Sequence, residues 1–472
     1  MSFEKGKITQ EEMNMNSKLN LVFVLTASML GLVLFSAIGG PAFGGRLFAQ
    51  DVLSGKVINI QGAILPIFQD SWKLVDKIEE GKELLKNSLS LRFEESPQKD
   101  KKGRIIKKKG QPVMELTRKE IALAILDTET GQVFEKRYWI STAEINKAND
   151  LRKKYLDNPD NLPIFRSEDT NKEFTAVSNW WNSFNSDISV NRNGSTAGRY
   201  IVAANKYLMS NDDLAYPEER TGAKYSDIVY TPHSKDIQNL TMIAFGKDFI
   251  NKSVQQAFDE LAQAGVMSRA FPGKLVVDTI SPVFVKNILI NEQSDPKLTL
   301  ASSDDARYQA ERVLVRYGAN KEKAFRYTVS KTGASGPAQI MPLTYSYPKK
   351  GTGMLQAYIG ANLIKDVDIG RVDMVNAIKA QILVFDDHMV YVIQRVNNSG
   401  TKAKKIFAGL SPDQLDEVRA MIYNGGPNKY NTATGGLNLK AKGIKETLPF
   451  VQKFRAIREL GLFDQYAEAA QQ

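Results

Sequence analysis

The chain has 472 residues, 42% of them apolar and 25% charged, with a formal net charge of +10. That length calls for two or three cores, and that composition excludes wholesale disorder. With no cysteine, a disulfide scaffold, thiol catalysis and lipid attachment through an N-terminal cysteine are excluded, and His233 and His388 alone are too few for a zinc site built from His and Cys.

From Leu21 to Gly40 the sequence LVFVLTASMLGLVLFSAIGG carries no charge and is long enough to span a bilayer. It reads as a retained anchor or as a signal cleaved near Leu47-Phe48-Ala49, so residues 1–50 are set apart as a membrane or signal helix. An exported chain does not meet nucleic acid, which leaves anionic lipid or acidic wall polymers as partners for the positive charge.

Residues 51–275 read as a mixed α+β region of unknown role. Apolar spacing predicts a helix over Ile64–Ser88. The run KDKKGRIIKKKGQ, Lys99–Gln111, reads as an exposed loop or hairpin edge, blunting a sheet or contacting a membrane or wall. Strands are predicted over Ile121–Asp127 and Gln132–Ile140, joined by Thr-Glu-Thr-Gly. Ser141 with Glu144 is a capping-box signature that opens a helix to about Tyr155. Polar loops over Asp157–Asp169 and Ser183–Ser195 then separate further helical pieces, with Trp180 and Trp181 assigned to the core. A helix follows over Thr241–Met267, and no internal repeat is present.

Residues 276–472 carry the chemistry. PVFVKNILINEQSDP predicts a helix with a wide apolar face, ended by Pro296, with Glu292 at its mouth. Desolvation there disfavours the charged carboxylate and keeps it a proton donor. YTVSKTGASGPAQIMPLTY, Tyr327–Tyr345, places Gly333, Ala334 and Gly336 where backbones come close, beside the amide of Gln339. MIYNGGPNKY supplies Tyr423 and Asn424 before a forced turn, and KETLPFVQKF opens the last helix. His388, in AIKAQILVFDDHMVYVI, reads as an ordinary helix residue.

In this order the blocks resemble the soluble lytic transglycosylase family and its goose-type lysozyme relatives. That family shows Glu-Ser-x-Phe-x-Pro, Ser-x-x-Gly-Ala-x-Gly-Leu-Met-Gln-x-Met-Pro, Ala-Tyr-Asn-x-Gly-Pro and Glu-Thr-x-x-Tyr-Val. Here stand Asn291–Pro296, Ser330–Pro342, Tyr423–Pro427 and Glu446–Val451. Pro337-Ala338 replaces Leu-Met, Phe450 replaces a tyrosine, and about thirty residues separate Pro296 from Tyr327 where the family has few. The insertion leaves Glu311 and Glu322 as competing acids; Glu292 is preferred because it alone combines a preceding apolar helix with a following Ser-Asp-Pro.

The resemblance implies a mostly helical, lysozyme-like C-terminal domain that cleaves the bond between N-acetylmuramic acid and N-acetylglucosamine in peptidoglycan, with an anhydromuramyl product and no metal or cofactor. It implies Glu292 as the single acid and base, and Ser330, Gln339, Met341, Tyr423 and Asn424 against the glycan. The expected place is the periplasmic side of the cell envelope, anchored to the inner membrane or secreted. The rivals are a hydrolase of the goose-type lysozyme kind and a membrane-tethered peptidoglycan-binding scaffold without catalysis.

Overall fold

A computed structural model describes residues 72–155, 165–168, 172–180, 186–222 and 224–464. The apolar stretch Leu21–Gly40 and the pair Trp180–Trp181, as side chains, lie outside the described residues. Among the described residues no helix is long and apolar enough to cross a membrane. All of them belong to one compact unit, 57–472. The fold is mixed α+β, with strands gathered before residue 231 and a mostly helical remainder.

Helix α1, Leu74–Asn87, occupies the second half of the predicted Ile64–Ser88 segment. Strand β1, Phe93–Pro97, leads into a small hairpin of β2, Lys107–Lys108, and β3, Gln111–Pro112, which is the basic run. The long strand β4, Met114–Asp127, then pairs antiparallel with β5, Val133–Ser141, with Leu126 opposite Val133. The turn between them closes as read: Asp127 Oδ1 accepts the Glu129 amide at 3.0 Å, and Asp127 O accepts that of Gly131 at 2.8 Å. Helix α2, Thr142–Tyr155, begins where the Ser141 hydroxyl accepts the Glu144 amide at 3.4 Å.

The next stretch departs from expectation. The two segments read as polar loops contribute β6, Phe165–Glu168, and β8, Asp187–Arg192, which flank β7, Phe174–Trp180, in an antiparallel sheet. In β8 only Ile188 and Val190 are buried, on one face, so its apolar alternation is two residues long and is masked by polar neighbours. Strands β9, Tyr200–Ser210, and β10, Tyr225–Tyr230, complete the main sheet in the order β1-β4-β9-β10, with β5 also paired to β4. Tyr200 to Leu208 is buried without interruption, so β9 shows neither the strand nor the helix period. Gly81 of α1 faces Ala203 and Ala124, small residues that let the helix lie close on the sheet.

Helix α3, Leu240–Gln263, opens the helical part and coincides with the segment predicted from Thr241; the Asn239 side chain accepts the Met242 amide at 3.0 Å. After α4, Pro282–Gln293, helix α5, Ser303–Asn320, packs against α3 so closely that a Cβ on Gly246 would lie 1.9 Å from the Leu314 carbonyl oxygen. Helices α6, Met374–Asn398, α7, Pro412–Gly425, and α8, Ile444–Glu459, follow. One apolar core runs from Trp72 and Ile78 through Ile250 and Val254 to Ile288, Leu314, Phe385 and Phe454. The helical layer therefore begins at Leu240, ahead of residue 276, and shares its core with α1. A buried reciprocal pair pins it to the sheet: the Thr231 amide donates to Asn320 Oδ1 at 2.8 Å and Asn320 Nδ2 to Thr231 O at 2.9 Å.

Candidate active site

Helix α4 carries Glu292 at its C-terminal end. Proline in its first turn sets the start, and burial all round, by Phe284, Val285, Ile288, Leu289 and Ile290, fixes it in the core. It stops because Ser294 turns its hydroxyl back to Ile290 O at 2.7 Å and Asp295 caps the next turn, accepting the Lys297 and Leu298 amides at 2.9 and 3.2 Å. The last turn is tied on both sides. Gln293 Nε2 donates to Pro337 O at 2.9 Å and Gly336 O at 3.2 Å, and Lys453 Nζ on α8 donates to Ser294 O at 2.6 Å.

Between these ties the Glu292 carboxylate has no hydrogen-bond partner among the described residues. Burial pushes its proton affinity well above the ordinary carboxylate range, and the nearby Lys453 ammonium pulls in the other direction without winning. Lys453 is itself buried, at 4% exposure, and burial lowers its pKa against the opposing pull of Glu292 and Asp295. The pair is thus a carboxyl that favours its neutral form beside a cation only partly able to prevent it.

The glycine-rich block forms the facing wall. Ser330 Oγ accepts the Ala334 amide at 3.0 Å and contacts Thr332 Oγ1 at 3.1 Å. Gly336 has φ +76°, and a Cβ there would lie 2.0 Å from the Arg371 carbonyl oxygen, so no other residue fits. Gln339 holds a left-handed backbone, φ +50°, which for a non-glycine residue marks a position over-determined by its surroundings. Its Nε2 donates to Gly336 O at 2.7 Å and Thr328 O at 3.3 Å, which directs its Oε1 away from the turn. Arg371 Nη1 ties the block down through Gly333 O at 2.8 Å.

Tyr423, on α7, packs its ring on Phe385 at 4.8 Å between centroids, and its hydroxyl donates to Ala338 O. Burial raises its pKa well above 10, with the Glu292 charge adding to the shift. Gln381 Nε2 approaches the same hydroxyl at 3.5 Å, while the buried Gln381 Oε1 has no hydrogen-bond partner among the described residues.

Glu292, Ser330, Gln339, Met341, Tyr423 and Asn424 all line one cleft of about 270 Å³, together with Thr332, Thr344, His388 and Glu446. Met341, at 37% exposure, and Asn424 sit at its rim. A second groove of about 520 Å³, lined by Tyr391, Gln394, Arg395 and Asn398, shares Thr344 and His388 with the first. No known protein family, curated protein or solved structure matches the chain.

The competing acids stand elsewhere. Glu311 faces Arg307 at 3.9 Å on α5, and Glu322 is exposed in the single turn Lys321–Lys323; neither lines the cleft. Two titratable lining residues escaped the sequence reading. His388 donates from Nδ1 to Ile422 O at 2.9 Å, since a carbonyl can only accept, and this leaves Nε2 an acceptor; burial lowers its pKa and keeps it neutral. Its signal was only its rarity. Glu446, exposed in the first turn of α8, brings a second carboxylate to the cleft and was visible as the first residue of the last family block.

Proposed function

We propose that the chain is a peptidoglycan lytic transglycosylase with a lysozyme-like helical domain, working at the periplasmic side of the cell envelope. The observation that carries this reading is the meeting of four separated blocks around one half-buried carboxyl, Glu292, that accepts no hydrogen bond among the described residues. A carboxyl that favours its proton at neutral pH suits general acid catalysis.

In this reading Glu292 gives its proton to the bridging oxygen between N-acetylmuramic acid and N-acetylglucosamine as the bond to the muramyl C1 breaks. The resulting carboxylate then takes the proton of the muramyl C6 hydroxyl, whose oxygen closes onto C1. One proton is given and one is recovered, and no water enters. The substrate supplies the nucleophile, so proximity stands in for a second protein group. Gln339 Oε1 and the Ser330 and Thr332 hydroxyls offer fixed partners for sugar hydroxyl and amide groups, and the adjoining groove gives a polymer room to continue.

Glu446 favours one second reading. A carboxylate in the same cleft is able to activate water, which makes the enzyme a hydrolase. Digestion of purified peptidoglycan, with products resolved by mass, separates the readings: anhydromuramyl ends are expected, reducing ends support the hydrolase, and no product on any glycan supports a binding scaffold.

A further inference from the structure

The segment 98–113, QKDKKGRIIKKKGQPV, is an arm in which no side chain is buried. It grows from β1 and the start of β4, and a backbone ladder holds it together: the Gln98 amide donates to Val113 O at 2.7 Å, the Ile106 amide to Gln98 O at 2.8 Å and the Val113 amide to Ile106 O at 2.9 Å. Strands β2 and β3 close through Lys109 and Gly110, with φ +51° and +83°, the two-residue turn that matches strand twist. Every residue from Lys101 to Pro112 is nevertheless exposed. Fixing a backbone costs conformational entropy, and an arm that buries none of its own side chains recovers little of it within the chain.

The side chains at the tip are of two kinds. Lys99, Lys101, Lys102, Lys107, Lys108 and Lys109 have no carboxylate partner among the described residues, and the one acid of the arm, Asp100, is already neutralised by Arg104 at 2.7 Å. Between these cations Ile105 and Ile106 stand 46% and 36% exposed. Cations alone suit any polyanion. Two adjacent isoleucines set among them suit a surface whose charge is shallow and whose interior is apolar.

We propose that this arm is a docking surface for the anionic face of a lipid bilayer, with the lysines on the headgroups and Ile105 and Ile106 in the acyl boundary. The proposal is independent of the cleft.

The test uses the full chain with vesicles of phosphatidylcholine alone or with added phosphatidylglycerol, and reads trypsin cleavage at Lys101, Lys102 and Arg104 by mass. Strong protection is expected only with phosphatidylglycerol. The triple substitution Lys107→Gln, Lys108→Gln and Lys109→Gln should weaken it by roughly 100-fold, on the order of fivefold per cation. Ile105→Ser with Ile106→Ser should leave binding that high salt abolishes, where the native arm resists. Because these positions are exposed, circular dichroism should remain unchanged in both variants. Equal protection by both vesicle types would overturn the proposal, since headgroup charge would then play no part in it. Equal protection by a soluble polyanion at matched charge would overturn it in favour of an acidic polymer, and an unchanged isoleucine variant would remove the membrane from it.

Discussion

Two carboxylates in this molecule are taken out of water and treated in opposite ways. Asp187, on β8, lies at the junction of the small sheet and α5. Burial alone would raise its pKa, but Arg312, which donates from Nε at 3.2 Å and also from Nη2, together with His233 at 3.5 Å, holds it far below the ordinary range. Glu292 receives no hydrogen bond among the described residues and has one cation, Lys453, beside it, and its pKa is raised. A partnered carboxylate fastens two elements together. An unpartnered one, kept in place by its neighbours' backbone ties, is free to exchange a proton with something else.

The sharpest way to break this contrast is to remove the proton from the second site. Glu292→Gln keeps shape and hydrogen bonding, so glycan cleavage should fall by about 10²–10⁴-fold while glycan binding survives. A fully active variant in the product assay would move the acid to another residue and end the comparison. At the first site, Arg312→Met should lower stability by about 3 kcal/mol in urea titration, the low end for breaking a buried pair because the Asp187 side chain keeps 28% exposure. A change below about 0.5 kcal/mol would mean that the pair does not fasten the sheet to α5.

The pH dependence of the two sites runs in opposite directions. Asp187 binds fewer protons folded than unfolded, so its contribution is present above the unfolded carboxylate pKa and disappears as the pH falls through its lowered folded value. Glu292 binds more protons folded than unfolded, so stability declines as the pH rises from the unfolded carboxylate pKa toward its raised value. Lys453→Met should remove the cation that restrains this rise and carry the alkaline limb of the activity profile upward by about one pH unit, whereas Lys453→Arg should hold it near its native position. A limb that stays put in the methionine variant would separate Lys453 from the acid. The smallest effect expected is a melting temperature about 1–3 °C higher for Glu292→Gln at neutral pH, because a destabilising ionisable group has been replaced. Calorimetry that shows a loss instead would imply a hidden partner for Glu292.

How far the sequence revealed these features depended on how local they are. The β4–β5 hairpin was legible because its turn lies between the strands it joins, and α4 because proline marks both of its ends. Strand β9 was not, since its partner β4 lies far upstream and its burial on both faces erases any period. Around the cleft, Glu292 and the glycine-rich wall stood out as contiguous blocks. His388 did not: what brings it to the cleft is the face of α6 that meets Ile422, a contact across the fold rather than a motif. For Asp187 and Arg312 the same holds, because two charged residues on distant elements carry no sign of each other until β8 docks on α5.

Helix α8 also bears on the order in which the chain is made. It supplies Lys453, whose ammonium grips the end of α4, and Phe450, whose carbonyl accepts from Asn291 Nδ2 at 3.4 Å. Synthesis lays down Glu292 well before either, so the growing chain carries this carboxyl for many residues without the wall that shapes and desolvates it. Any product broken off before residue 444 would keep the acid yet lack its setting. The setting of the Glu292 carboxyl is thus completed only when α8 has been made, long after Glu292 itself.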